Sequence, residues 1–199
     1  MQEKKTEETS YPARLPAIAI RDVVMFPHMA LPLSVDRPKS VAAIEAGLAA
    51  GRLILSLAQK KPGVNDPAAE DLYNYGVVST ISQSLKMPDG TMRVFLEGKK
   101  RVRVLKLSPD STGTFLSAEV EYPVETEKSG PELTALMRHA AEIFEVYVKL
   151  GTRITVDSTA FLQQQEDPGK FADTIAANSL FILADRQDVL ETESPRERL

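Results

Sequence analysis

Apolar residues alternate with polar ones at a period of two through much of the chain up to residue 122, then recur at helical spacing from about residue 131. Residues 15–20 and 29–35 read as short strands, with Pro16, Pro27 and Pro32 confining them to edges, bends or strand ends. Asp36 is placed to cap a helix with Pro38 in its first turn, where a missing N–H costs little. Val41, Ile44, Ala46 and Leu48 give that helix an apolar side, and Gly51 ends it. Residues 53–57 form a nearly continuous apolar run, as expected of a central strand buried on both faces. A loop follows at 60–71, rich in Pro, Gly and Asn.

From Gly76 the alternation is strict, predicting Val77, Ile81, Leu85 and Met87 on one face and Thr80, Ser82, Ser84 and Lys86 on the other. Pro88, Asp89 and Gly90 make a tight turn, and Met92, Val94 and Leu96 continue the apolar face on the return strand, so 87–92 is a hairpin tip. Residues 100–107 and 115–120 add two strands around a turn at 109–113. Six or seven short strands with one early helix predict a small bent β-barrel, because closure covers edges that would otherwise be exposed.

The pattern divides the chain into a flexible tail at 1–14, a β-barrel lobe at 15–122, a linker at 123–130 and an α-helical lobe at 131–193. The fold class expected is therefore α+β. In the second lobe Ser129 and Glu132 have capping-box spacing, and Leu133, Leu136, Met137, Ala140, Phe144 and Tyr147 line one side of a long helix that Gly151 stops. Asp157 or Ser158 is placed to cap a short helix reaching Gln165; Asp167 with Pro168 starts another, and 185–191 is a third. Ser194, Pro195, Arg196 and Glu197 again have the form of a helix start, which makes 194–199 the expected opening of a helix leading onward.

Composition narrows the chemistry. At 199 residues with 43% hydrophobic and 26% charged side chains, the chain has the makeup of a globular protein with a real core. Its net charge of -4 argues against broad attraction to nucleic acid or anionic membrane. No apolar run approaches the roughly 20 residues that a spanning helix needs. The absence of cysteine removes disulfides and thiolate chemistry and fits a reducing compartment.

Three stretches carry a specific resemblance. The first is Arg21, Asp22, Val23, Val24, Met25, Phe26, Pro27, His28 and Met29, continuing through Leu31, Pro32, Leu33, Ser34, Val35, Arg37, Lys39 and Ser40. The second begins at Asp71, Leu72, Tyr73, Tyr75, Gly76, Val77 and Val78, and continues through Ile81, Gln83, Leu85, Lys86, Pro88, Asp89, Gly90, Thr91, Val94, Glu97, Gly98 and Arg101. The third is Asp167, Pro168, Ala172, Asp173, Thr174, Ile175, Ala176 and Ala177. In order and spacing these resemble the N-terminal domain of the ATP-dependent Lon protease family over residues 15–190. Ala19, Asp36 and Phe171 stand where the family often has proline, glycine and leucine, which touches local turn geometry only.

The resemblance implies a pseudouridine-synthase-like (PUA-like) barrel followed by helices. It also implies a non-catalytic domain that binds unfolded or regulatory proteins and supports a homo-hexamer in cytoplasmic protein quality control. ATP, magnesium and the Ser/Lys dyad would then belong to other modules of a longer chain. Three other readings stand beside it: a stand-alone adaptor, an RNA-binding barrel, and a small-ligand site, against which the absence of tryptophan for an aromatic cage counts.

The residues themselves offer little catalytic chemistry. Gly98 and Lys99 lack the earlier glycine of a P-loop, and His28 and His139 are too far apart in sequence for a helical zinc pair. His28 lies in a proline-bent loop without a nucleophile motif, and His139 sits one position off an apolar stripe. Lys99, Lys100, Arg101, Arg103 and Lys106 are the one basic cluster and the candidate contact for nucleic acid, although no stacking aromatic is interleaved. Met25, Phe26, Met29, Met87 and Met92 are the candidate protein-binding residues, since methionine adapts to varied partners. The competing reading places the methionines in the barrel core.

Overall fold

The computed structural model describes residues 11–125, 129–150, 162, 165–179 and 181–199. Strands β1 (Arg14–Ile20), β2 (Ala30–Val35), β3 (Leu53–Gln59), β4 (Leu72–Lys86), β5 (Met92–Pro109) and β6 (Leu116–Glu121) form one sheet in the order β2-β5-β4-β3-β1-β6. A further pairing of β5 with β6 closes β5, β4, β3, β1 and β6 into a barrel. The barrel is possible because β5 is long: its first half pairs with β2 and its second half with β6. The two strands expected at 92–96 and 100–107 are thus one, with a register shift around Lys99 that bends it without breaking the ladder.

Inward residues of all five closing strands, among them Leu15, Leu55, Leu57, Val78, Val102 and Val120, fill the barrel. A second core lies on the other face of β3 and β4, where Ile54, Ala58, Val77 and Ile81 meet Ala43 and Ile44 of α1 (Pro38–Ala49). Strand β3 is therefore buried on both sides, which is why its sequence does not alternate. Pro16 is tolerated in a strand with two neighbours because pairing with β3 begins only at Ala17.

Several local expectations are corrected. The alternation on β4 reverses at a register shift between Ile81 and Gln83, where Ser82 is the extra residue; this turns Leu85 outward, 59% exposed, instead of into the core. The N-cap of α1 is Arg37, whose side chain makes no cap bond and instead donates to Gln59 and to the Val64 carbonyl. Order begins before Leu15: Tyr11 stacks on Tyr122 with ring centroids 5.9 Å apart, and the Tyr122 hydroxyl donates to the Pro12 carbonyl.

The helices are α2 (Pro131–Leu150), α3 (Pro168–Asn178), α4 (Leu183–Glu191) and the short α5 (Pro195–Arg198). Helix α2 starts at Pro131, with the Gly130 carbonyl accepting from Thr134 N–H, and Glu132 pairs with Arg196 at the start of α5. As expected, Asp167 caps α3 by accepting from Lys170 N–H, and Ser194 caps α5. The short helix expected from Asp157 or Ser158 lies outside the described residues, apart from Leu162 and Gln165.

Candidate functional site

The loop between β1 and β2 is a plug, not an exposed surface. Phe26 is 0% and Met25 2% exposed, both packed in the second core with Val24, Ile18 and Leu96. The loop is pinned on β5 by His28 N–H donating to the Gly98 carbonyl (2.9 Å) and Gly98 N–H donating to the Met29 carbonyl (2.8 Å). A Cβ at residue 98 would stand 2.2 Å from the Phe26 carbonyl oxygen, so only glycine lets the loop seat this closely. Met92 faces the same core, and Met29 packs half-buried against it. Of the five candidate contact residues, Met25, Phe26 and Met92 are thus core, and Met87 at the hairpin tip is half-buried. Their composition reflects the need to fill an irregular space beside a proline break, which methionine does well.

The basic cluster is dispersed by the same geometry. Lys99 pairs with Glu97, and Arg103 pairs with Glu121. Arg101 turns into the junction between the lobes, 6% exposed, where its Nε donates to the Leu190 carbonyl, Nη2 to Asp173 (2.9 Å) and Nη1 to Glu125 (3.2 Å). Arg198, whose side chain is fully buried, donates to the same two carboxylates. Burial pulls the Arg101 pKa below its ordinary value, and Asp173 opposes the shift, so a charge that is costly to bury is held by its partner. Lys100 and Lys106 remain exposed on the strand. This arrangement ties β5, residue 125, α3 and α5 together, and it withdraws Arg101 from the surface where a nucleic acid would have to reach it.

Both histidines stand apart from any catalytic grouping. His28 has a positive φ of 65° and a pKa lowered first by burial and then by Lys170. His139 is exposed on α2. Among the described residues there is no group of three or more His, Cys, Asp or Glu placed to hold a metal ion.

Exposed apolar surface gathers instead on the helical lobe. Phe144, 3% exposed, anchors α2 against Phe171 of α3, while Ile143, Val146 and Leu150 form a second stripe at 57%, 56% and 82% exposure. Phe181 (47%), which shares a groove with Ile143, and Ile182 (67%) are exposed just before α4. The groove, of about 330 Å³, is walled by Leu136, His139, Ile143, Tyr147 and Phe181 and floored by Ile175. The small residues Ala140, Ala172 and Ala176 give it depth. A second groove, of about 640 Å³, flanks the other side of Phe144. On the barrel, Leu85 and Phe95 border an open hollow of about 450 Å³ with Pro32 and Arg93. The stripe at 143, 146 and 150 was legible as an i, i+3, i+7 pattern, but only proximity to Phe181 makes it a groove.

The molecule is thus a closed barrel joined through a buried ionic junction to a helical lobe with exposed apolar grooves. The chain belongs to the family of ATP-dependent protease La (LON) substrate-binding domains, whose family model matches residues 14–199. It is 50% identical over 195 residues to the Lon protease of Elusimicrobium minutum (strain Pei191), which covers 98% of this chain and 24% of that protein. It is 40% identical over 192 residues to the Lon protease of Escherichia coli (strain K12), covering 96% of this chain and 24% of that one. The chain thus spans about a quarter of the length of these relatives. The N-terminal domain of the Mycobacterium avium complex Lon protease shares the fold, with a TM-score of 0.75 at 23% identity over 93% of both chains. The Lon N-terminal domain protein of Xanthomonas campestris does so with a TM-score of 0.65 at 16% identity, over 93% of this chain and 94% of that one.

Proposed function

We propose that the chain holds exposed apolar segments of unfolded or regulatory proteins and presents them to the ATP-driven, proteolytic parts of a Lon-type enzyme. The observation that carries this reading is the exposed apolar surface of Ile143 and Phe181 at the α2 groove, with Val146, Leu150 and Ile182 exposed further along the same elements. Large apolar side chains exposed together at a groove mark a partner site. The contact surface proposed moves from the buried Met25, Phe26 and Met92 to these helical-lobe residues, with Met87, Leu85 and Phe95 as a secondary patch on the barrel.

Because the relatives are about four times longer, the same reading assigns ATP and magnesium binding, the Ser/Lys dyad and hexamer formation in the cytoplasm to a longer protein of which this is one domain. The test is binding of reduced, carboxymethylated lactalbumin to the 199-residue chain and to an Ile143→Asp, Phe181→Asp variant. Both substitutions are at exposed positions, so the variant keeps its melting temperature while affinity falls at least tenfold. Unchanged affinity in a folded variant removes the groove from the site.

A further inference from the structure

The wall of the sheet is incomplete between β1 and β2. Among the described residues β2 pairs with β5 alone, and beyond Ala17 the side of β1 that faces β6 has no strand partner. The register sets which backbone groups remain. The Met29 carbonyl accepts from Gly98 N–H on β5, so Leu31, Leu33 and Val35 turn their amides toward β5 while Ala30, Pro32 and Ser34 turn theirs away. Proline at 32 agrees with this, since only an outward amide can be lost without breaking the ladder. On β1 the Ala13 carbonyl accepts from Val120 N–H, which puts Leu15, Ala17 and Ala19 on the β6 side, with Ala19 past the last pair.

Between these two edges lies a slot of about 270 Å³, lined by Ile18, Ala19, Leu33, Ser34 and Ser40, with Arg21 and Arg37 at one end. The two guanidiniums are held by neutral acceptors, Asn65 for Arg21 and Gln59 with the Val64 carbonyl for Arg37. Asp36 lies beside them, and Asp66 is paired with Lys39. Burial lowers the Arg37 pKa, and the nearby Arg21 charge lowers it further, as expected of a positive end that an added carboxylate would relieve.

We propose that this slot takes an extended polypeptide segment, which adds as a strand to the outer edge of β2 and places an Asp or Glu at the Arg21–Arg37 end. The inference rests on the polypeptide-binding reading and adds a second mode to it, one that reads backbone instead of apolar side chains. Within the slot Ser34 turns its N–H and C=O outward, and along the same edge beyond the slot Pro32 turns out a C=O alone and Ala30 both groups. A partner strand presents matching groups every second residue, at roughly 7 Å spacing. The missing donor at Pro32 leaves the added strand incompletely bonded, which suits capture that must be reversible.

The test uses fluorescence anisotropy with the 199-residue chain and a fluorescein-labelled octapeptide of alternating Val and Thr ending in Glu. Two N-methylated forms of the peptide, blocking alternate edges of the strand, keep every side chain. One form should bind at least tenfold more weakly and the other within threefold of the parent. Ser34→Pro removes an outward donor without touching the β2–β5 ladder and should weaken the parent peptide at least tenfold. Arg21→Glu should weaken the Glu peptide at least threefold but not its Gln counterpart.

Equal effects of the two methylation patterns, wild-type binding by a folded Ser34→Pro chain, or no binding of the parent peptide would each overturn the proposal. No binding of the parent peptide by a chain that still binds unfolded lactalbumin would remove the slot and leave the polypeptide-binding reading standing. Failure of the parent chain to bind that protein would overturn the reading itself.

Discussion

Replacing Asp173 by alanine tests whether the ionic junction holds the two lobes together. Asp173 is 4% exposed at its side chain and accepts from Arg101 at 2.9 Å and Arg198 at 2.6 Å, whose side chains are 6% and 0% exposed. Removing it leaves two buried guanidiniums sharing Glu125, which is 37% exposed. Deleting one partner of a buried pair costs about 3–5 kcal/mol, because the remaining charge stays out of water uncompensated. Glu125 keeps part of the compensation, which puts the expected loss near the lower end, about 3 kcal/mol. For a chain of this length a loss of that size lowers the melting temperature by roughly 10 °C. The comparison is Glu121→Ala, which breaks a pair whose side chains are 49% and 51% exposed and already screened by water, so its loss should be far smaller. Thermal and urea unfolding followed by circular dichroism measure both. Equal, small losses in the two variants would refute the argument that burial makes this junction structural.

The other predictions address the core and the response to pH. Phe26→Ala should cost about 3–5 kcal/mol because it empties a fully buried site, whereas Met87→Ala at the hairpin tip should stay within about 1 kcal/mol; urea midpoints distinguish them. The Tyr75 hydroxyl, pushed up to about 12 by burial and by its hydrogen bond to Glu193, and that of Tyr122, pushed up to about 12 by burial, remain protonated in the folded chain at a pH where the unfolded chain ionises them. Their contribution is full below about pH 10 and is lost as pH rises toward 12, so the Tyr75→Phe, Tyr122→Phe variant should lose less stability over that window than the parent.

Much of the fold was legible because pattern and packing agree. The apolar run of β3, the Pro88–Gly90 turn, the Asp167 cap with Pro168 and the start of α2 near residue 131 all stand as the sequence indicates. What could not be read depends on register. A single extra residue at Ser82 inverts the face of Leu85, and the shift near Lys99 joins two expected strands into one. The site was less legible for a related reason: Met25 and Phe26 have the composition of a binding loop, but whether they are exposed turns on Gly98, which is far from them in sequence and lets their loop rest on β5. Arg101 looked like a nucleic-acid contact until Asp173 and Arg198, distant along the chain, closed around it.

The most direct test of the central claim is a calorimetric titration of the 199-residue chain with lactalbumin in native form and in reduced, carboxymethylated form. Burial of apolar surface predicts saturable binding of the unfolded form with a negative heat-capacity change, and none of the native form. Equal heats with both forms, or no binding of either, would contradict a domain that selects unfolded polypeptide.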